Sequence, residues 1–220
     1  MKNLFLLLII LAIIVVSASM YYEGFMNDVE YVVSIRDKRQ YLVRNLPDKK
    51  SAAELLSLIR GRLIKFVKFM KKKYPDDDRV KRLVKNFNSD QISESTPDSK
   101  YTSYSVNKGE KIVFCVRQRN DKNELVDLNT MMFVSIHELA HLMTISIGHT
   151  KEFWENMKFL LKEALSKEIQ LYSYQPFHED PKPYCGTMIT DTPLKRNEDG
   201  SFPNIEPSKK VTIESRMTDD

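Results

Sequence analysis

Hydrophobic residues along this chain fall into distinct patterns, and each predicts a different element. Residues 4–19 are uncharged and almost wholly apolar, from Leu4-Phe5-Leu6-Leu7-Leu8 to Val15-Val16, a run just long enough to cross a bilayer. Residues 29–42 alternate around Arg36-Asp37-Lys38-Arg39, which predicts a β-hairpin. Leu56, Ile59, Leu63, Phe66, Val67 and Met70 then recur at helical spacing until Tyr74-Pro75 halts the helix, and Ser51-Ala52-Ala53-Glu54 reads as a capping box at its start. A shorter helix is expected over 79–86, followed by a polar, linker-like stretch at 88–100.

The second half of the chain is patterned more densely. After the turn signal Asn107-Lys108-Gly109-Glu110, residues 111–117 alternate as a strand does. From Met131 to Met143 the chain is apolar on nearly every helical face, behind the capping side chains of Asp127, Asn129 and Thr130, which predicts a buried helix. Phe153, Met157, Leu160, Leu161 and Ala164 mark another helix, with Thr150 as its cap. Residues 171–186 are irregular and proline-rich, and 193–220 lack apolar periodicity and read as a mobile polar tail. No internal repeat is visible. The order hairpin, helix, hairpin, buried helix, helix makes the fold α+β. Its expected parts are a membrane segment at 1–22, a domain at 23–192 and the tail at 193–220.

Charge changes this picture in one place. The net charge is +4, yet between Arg60 and Lys85 there are 11 Lys or Arg against 3 Asp. A solvated helix face is the default reading, with anionic lipid headgroups and nucleic acid as competitors. No recognised nucleic-acid module accompanies the charge, and the apolar N-terminal segment argues against a nuclear role. The N-terminal run fits a retained anchor, with residues 4–20 in the membrane, or a signal peptide cut near Ser17-Ala18-Ser19. The retained anchor is favoured, and a secreted form is the alternative. Lys2 precedes the segment while Glu23, Asp28 and Glu30 follow it, which places the domain on the non-cytoplasmic side. Cys115 and Cys185 could pair in an oxidising compartment, or stay buried thiols in a reducing one.

The chemistry resides in His137-Glu138-Leu139-Ala140-His141 and in Gly148-His149 beyond it. Two histidines four apart lie on one helix face, so both imidazoles can reach one cation. Glu138 leaves the axis roughly 100° from His137, which suits a carboxylate that acts beside a metal without ligating it. A catalytic zinc takes about three protein ligands, and Gly148 lets the chain turn back so that His149 supplies the third. Glu152 and Glu155 are candidates to hydrogen-bond a ligand imidazole, and His178, Tyr172, Tyr174 and Tyr184 are candidates from the proline-rich stretch.

His-Glu-Leu-Ala-His, seven residues, then His-Thr-Lys-Glu-Phe-Trp resembles the zincin metallopeptidases of the WLM and SprT-related group. The stretch from Ser103 to Cys115 ahead of the metal helix is similar to WLM-like metallopeptidases of large DNA viruses. The resemblance covers roughly residues 100–190. It implies a zincin-like domain, Zn2+ held by His137, His141 and His149, and Glu138 as general base. By resemblance to zincins with a glutamate third ligand, Glu163 or Glu168 is the alternative. By resemblance to zincins, in which a strand ahead of the metal helix adds extended substrate to the sheet edge, the strand over 111–117 is the candidate substrate rest. The expected function is a membrane-anchored zinc metallopeptidase acting on a protein or peptide substrate. The alternative is a membrane-tethered, zinc-containing structural or binding protein without turnover, associated with a virion.

Overall fold

The computed structural model describes residues 2–202, leaving out the side chains of residues 2, 3, 5 and 21–27. Helix α1 (Lys2–Asp28) runs directly into strand β1 (Val29–Val33), which pairs antiparallel with β2 (Gln40–Arg44). The expected hairpin is present. The helix continues six residues past the expected boundary at 22, so that division cuts an element rather than a linker. Every described side chain of α1 from Leu4 to Met20 is exposed. Over the described residues, however, no helix is long and apolar enough to cross a membrane. The expected spanning helix is therefore not supported over the described residues, where α1 stands as an exposed apolar helix.

Helix α2 (Lys49–Lys73) buries the predicted stripe, with Leu56, Ile59, Leu63, Phe66 and Met70 all fully inside. Its predicted capping box does not form. The helix begins at Lys49, ahead of Ser51, and the side chain of its N-cap residue Asp48 caps nothing. The carboxylate of Asp48 pairs with Arg117 at 2.5 Å, and Glu54 accepts from the Ile35 amide at 2.5 Å. Charged and long-range partners have displaced the local cap. Helix α3 (Asp78–Asn86) follows, capped by Asp77 accepting from the Arg79 amide at 2.9 Å.

Strands β3 (Ile92–Glu94), β4 (Tyr104–Val106) and β5 (Lys111–Phe114) form one sheet in the order β3-β5-β4. β3 is parallel to β5 and β4 antiparallel to it. The stretch expected to be a linker therefore contributes a buried strand. Glu94 on β3 accepts from the Arg44 amide and from Arg117 Nε, both at 2.8 Å, which explains how so polar a segment lies inside. Because β5 is paired on both sides, it cannot rest a substrate strand. The edge strands are β3 and β4, of which β4 lies against α4.

Helix α4 (Leu128–Met143) is the predicted buried helix, with Asp127 accepting from the Thr130 amide at 3.0 Å and from its hydroxyl at 2.7 Å. It packs against α2, α3 and helix α5 (Lys151–Ala164), and α5 is capped by Thr150 as expected. A last hairpin, β6 (Lys182–Tyr184) with β7 (Thr187–Ile189), is tied to the end of β5 by a Cys115–Cys185 disulfide. Leu194 is fully buried, so the tail starts later than 193. Residues 203–220 of the expected tail lie outside the described residues.

Candidate metal centre

α4 presents His137 and His141 on one face, as their spacing requires, and the α4–α5 loop returns His149 to them. His137 Nε2 lies 3.2 Å from His141 Nε2 and 3.0 Å from His149 Nε2. The three available nitrogens all fall within 4.8 Å of one another. Tetrahedral zinc with Zn–N of ~2.0–2.1 Å needs ligand nitrogens about 3.4 Å apart, so the donor set fits such an ion with small rotations. Gly148 has φ +82, and a side chain at that φ would be strained.

Phe153, fully buried on α5, forms the floor of the triad. Its ring centroid lies 4.9, 4.3 and 4.7 Å from those of His137, His141 and His149. Trp154 flanks His149 at 5.5 Å. The apolar stripe of α5 thus does more than fill the core, since one of its members fixes the positions of three imidazoles.

Electrostatics favour neutral imidazoles. Burial, reinforced by the neighbouring His141 and His149, pushes His137 down to about 3. Burial, His149 and Lys108 push His141 down to about 4. Both keep a free nitrogen lone pair at neutral pH. Glu138 is 2% exposed, its Oε2 has no hydrogen-bond partner, and burial pushes its carboxyl up to about 8. A bare carboxylate in such a place is costly unless a partner arrives from outside.

Glu138 and His137 separate two hollows. One, of about 840 Å³, runs along the β4 edge from Tyr104 and Ser105 to His141 and the Gly148-His149 turn. The other, of about 260 Å³, is walled by Phe133, Val134, Trp154, Met157 and Ile189. Tyr184 lines this second hollow, with its hydroxyl 2.5 Å from Ser103 Oγ, which in turn accepts from the Cys115 amide at 3.1 Å.

The other candidates are placed elsewhere. Glu163 accepts from Lys73 Nζ and from the Tyr74 hydroxyl, each at 2.8 Å, and exposed Glu168 faces Lys73 as well. Neither glutamate joins the triad, which corrects the alternative for the third ligand. Glu152 accepts from the amides of Ile145 and Ser146 and touches no imidazole, while Glu155 faces Lys151. His178 pairs with Glu179, Tyr172 packs on Phe133, and Tyr174 packs on Phe202. At least six of the eleven basic residues between Arg60 and Lys85 are engaged internally: Arg60, Arg62, Lys73, Arg79, Lys81 and Arg82. That consumes much of the basic run in structure. Two residues escaped sequence reasoning altogether. Lys108 binds loop carbonyls through contacts that no local pattern signals, and the role of Phe153 is hidden within an ordinary core stripe.

The WLM domain family model matches residues 37–215. The chain belongs to the WLM family. It is similar to the uncharacterized protein R325 of Acanthamoeba polyphaga mimivirus, 33% identical over 173 residues, which are 77% of this chain and 86% of that one. It is also similar to the uncharacterized protein 042R of Invertebrate iridescent virus 3, 39% identical over 84 residues, or 38% of this chain and 48% of that one. The crystal structure of Wss1 from Saccharomyces cerevisiae overlaps 56% of this chain and 84% of its own at 21% identity and a TM-score of 0.41. Membership of this metallopeptidase-like family and a histidine triad able to bind a metal agree on the character of the site.

Proposed function

We propose that this WLM-family protein is a zinc-dependent peptidase, with His137, His141 and His149 as metal ligands and Glu138 as general base. One observation carries the reading: three imidazole nitrogens converge beside a buried glutamate whose Oε2 has no hydrogen-bond partner. A zinc ion held there would polarise a peptide carbonyl and acidify water. His137 and His141, kept neutral by burial, offer lone pairs without first losing a proton. Glu138 takes the proton from the attacking water and delivers it to the leaving amine. A cation held by the triad would lower the Glu138 carboxyl from about 8, so that it would accept protons near neutrality. The open edge of β4 suits an extended substrate added as a further strand, and the apolar hollow beyond Glu138 suits an apolar side chain next to the scissile bond.

The proposal extends to location. An exposed apolar helix at residues 4–20 supports a membrane tether, or secretion if the segment is cleaved. The Cys115–Cys185 disulfide supports a domain on the non-cytoplasmic, oxidising side. The deciding experiment is hydrolysis of unfolded casein and a peptide library by full-length protein loaded with zinc, beside Glu138→Gln. Cleavage by the wild type and none by the variant is expected. Equal cleavage by both would sink the mechanism. Stoichiometric zinc with no cleavage by either protein would favour a non-catalytic, zinc-holding role.

A further inference from the structure

The loop that carries His149 is gripped from two directions. Lys108 Nζ donates to the carbonyls of Thr144, Ile145 and Ser146 at 2.8, 2.8 and 2.9 Å. From the other side, Glu152 accepts from the Ile145 amide at 2.9 Å, and from the Ser146 amide and hydroxyl at 3.1 and 2.9 Å. An ammonium has three N–H bonds, and all three are committed here. Lys108 therefore lines the cleft without a hydrogen left to offer a substrate oxygen. Its charge also sits at the C-terminal end of α4, where a cation is favoured by the helix dipole.

The lysine is held in place at some conformational expense. Asn107, Lys108 and Gly109 all have positive φ, at 45, 55 and 110°, although only glycine adopts that region freely. Gly109 brings the turn so close to α3 and α4 that a Cβ there would lie 2.2 Å from the Asn86 carbonyl oxygen and 2.9 Å from the Leu142 side chain. The tip of the β4–β5 hairpin is thus wedged against the end of α4, and Lys108 reaches from it to the loop. The same hairpin supplies the edge strand β4.

We propose that Lys108 is a positioning residue for the third metal ligand: by fixing the carbonyls of residues 144–146 it holds His149 within reach of His137 and His141. This rests on the metal reading above. It assigns the β4–β5 turn a role in metal retention carried through the His149 arm, separate from the charge by which Lys108 bears on His141.

A double-mutant cycle on the full-length protein in detergent tests it, with zinc affinity read by competition against a chromophoric chelator. Lys108→Met should weaken zinc binding about tenfold or more in the wild-type background, the range seen when outer partners of metal ligands are removed. In the His149→Ala background the same substitution should change affinity less than about twofold, because the arm it positions no longer carries a ligand. An equal loss in both backgrounds overturns the proposal, since that is what general loosening of the fold produces. Unchanged affinity in Lys108→Met alone overturns it too. A wild-type protein that takes up no zinc would instead bring down the metallopeptidase reading, and this inference with it.

Discussion

Glu94 on β3 and Glu138 on α4 are both buried glutamates, 3% and 2% exposed, and burial pushes both carboxyls up. They differ in company. Glu94 accepts from the Arg44 amide and from Arg117 Nε, and these contacts oppose the effect of burial. Nothing opposes it at Glu138, whose Oε2 has no partner at all. The chain can thus satisfy a buried carboxylate when structure is the purpose, by drawing in an arginine that is itself 1% exposed. The unpartnered Oε2 of Glu138, beside three imidazoles and between two hollows, is what the proposed role at a metal centre accounts for.

Activity should separate the two glutamates most widely. Glu138→Gln is expected to lower kcat/KM for peptide hydrolysis by ~10²–10⁴-fold while zinc stays bound, as loss of a general base does. Glu94→Gln, assayed well below its unfolding midpoint, should stay within about threefold of wild type, because Glu94 touches no part of the cleft. A similar loss in both variants would erase the distinction.

Stability should order them the other way. The Cys115–Cys185 bond lies between the two sites, since Cys115 precedes Arg117 by two residues and Cys185 follows Tyr184. Replacing both cysteines by serine should lower the unfolding free energy by about 4 kcal/mol, the loop-entropy value for a separation of 70 residues. Glu94→Gln should follow at about 3 kcal/mol, because it strands a buried guanidinium that keeps only Asp48 as an ionic partner. Denaturant midpoints at constant slope measure both. A Glu94→Gln midpoint indistinguishable from wild type would mean that the buried pair contributes specificity and not stability.

The same contrast explains what could be read in advance. The residues of the metal helix declared themselves because a spacing of four on one helix, a capping aspartate and an all-round apolar pattern are local signals. β3 was hidden because Ser93 and Glu94 look solvated until Arg117, 23 residues away, is known to lie against them. The capping box at Ser51 was misread because Asp48 begins the helix and the partner of Glu54 is 19 residues back in the hairpin turn. The substrate rest falls on β5 in the sequence because its alternation is clear, whereas the edge strand beside the metal helix is the three-residue β4, too short to show a period. Local periodicity is legible in a sequence, and the partner that decides a polar residue's fate is not.

The subtlest separation is in the pH dependence of the metal-free protein. Glu138 binds its proton more tightly when folded, with a pKa of about 8 against the ordinary 4.5, so its protonated form favours folding. That contribution is fully present below pH 4.5 and is lost as pH rises through 8. His137 and His141, pushed down from 6.5 to about 3 and about 4, act in the opposite sense: their contribution is present above 6.5 and lost as pH falls towards 3. Comparing wild type with Glu138→Gln cancels the histidine part, which both proteins share. The variant should match the wild type near pH 4 and exceed it by about 2 kcal/mol at pH 9, less than the full shift implies, because water entering around a buried carboxylate moderates its penalty. Chemical denaturation at both pH values, with chelator present, gives the difference. A gap that is constant from pH 4 to 9 would show that Glu138 is solvated in the folded chain, and would remove the contrast with Glu94 on which the functional reading leans.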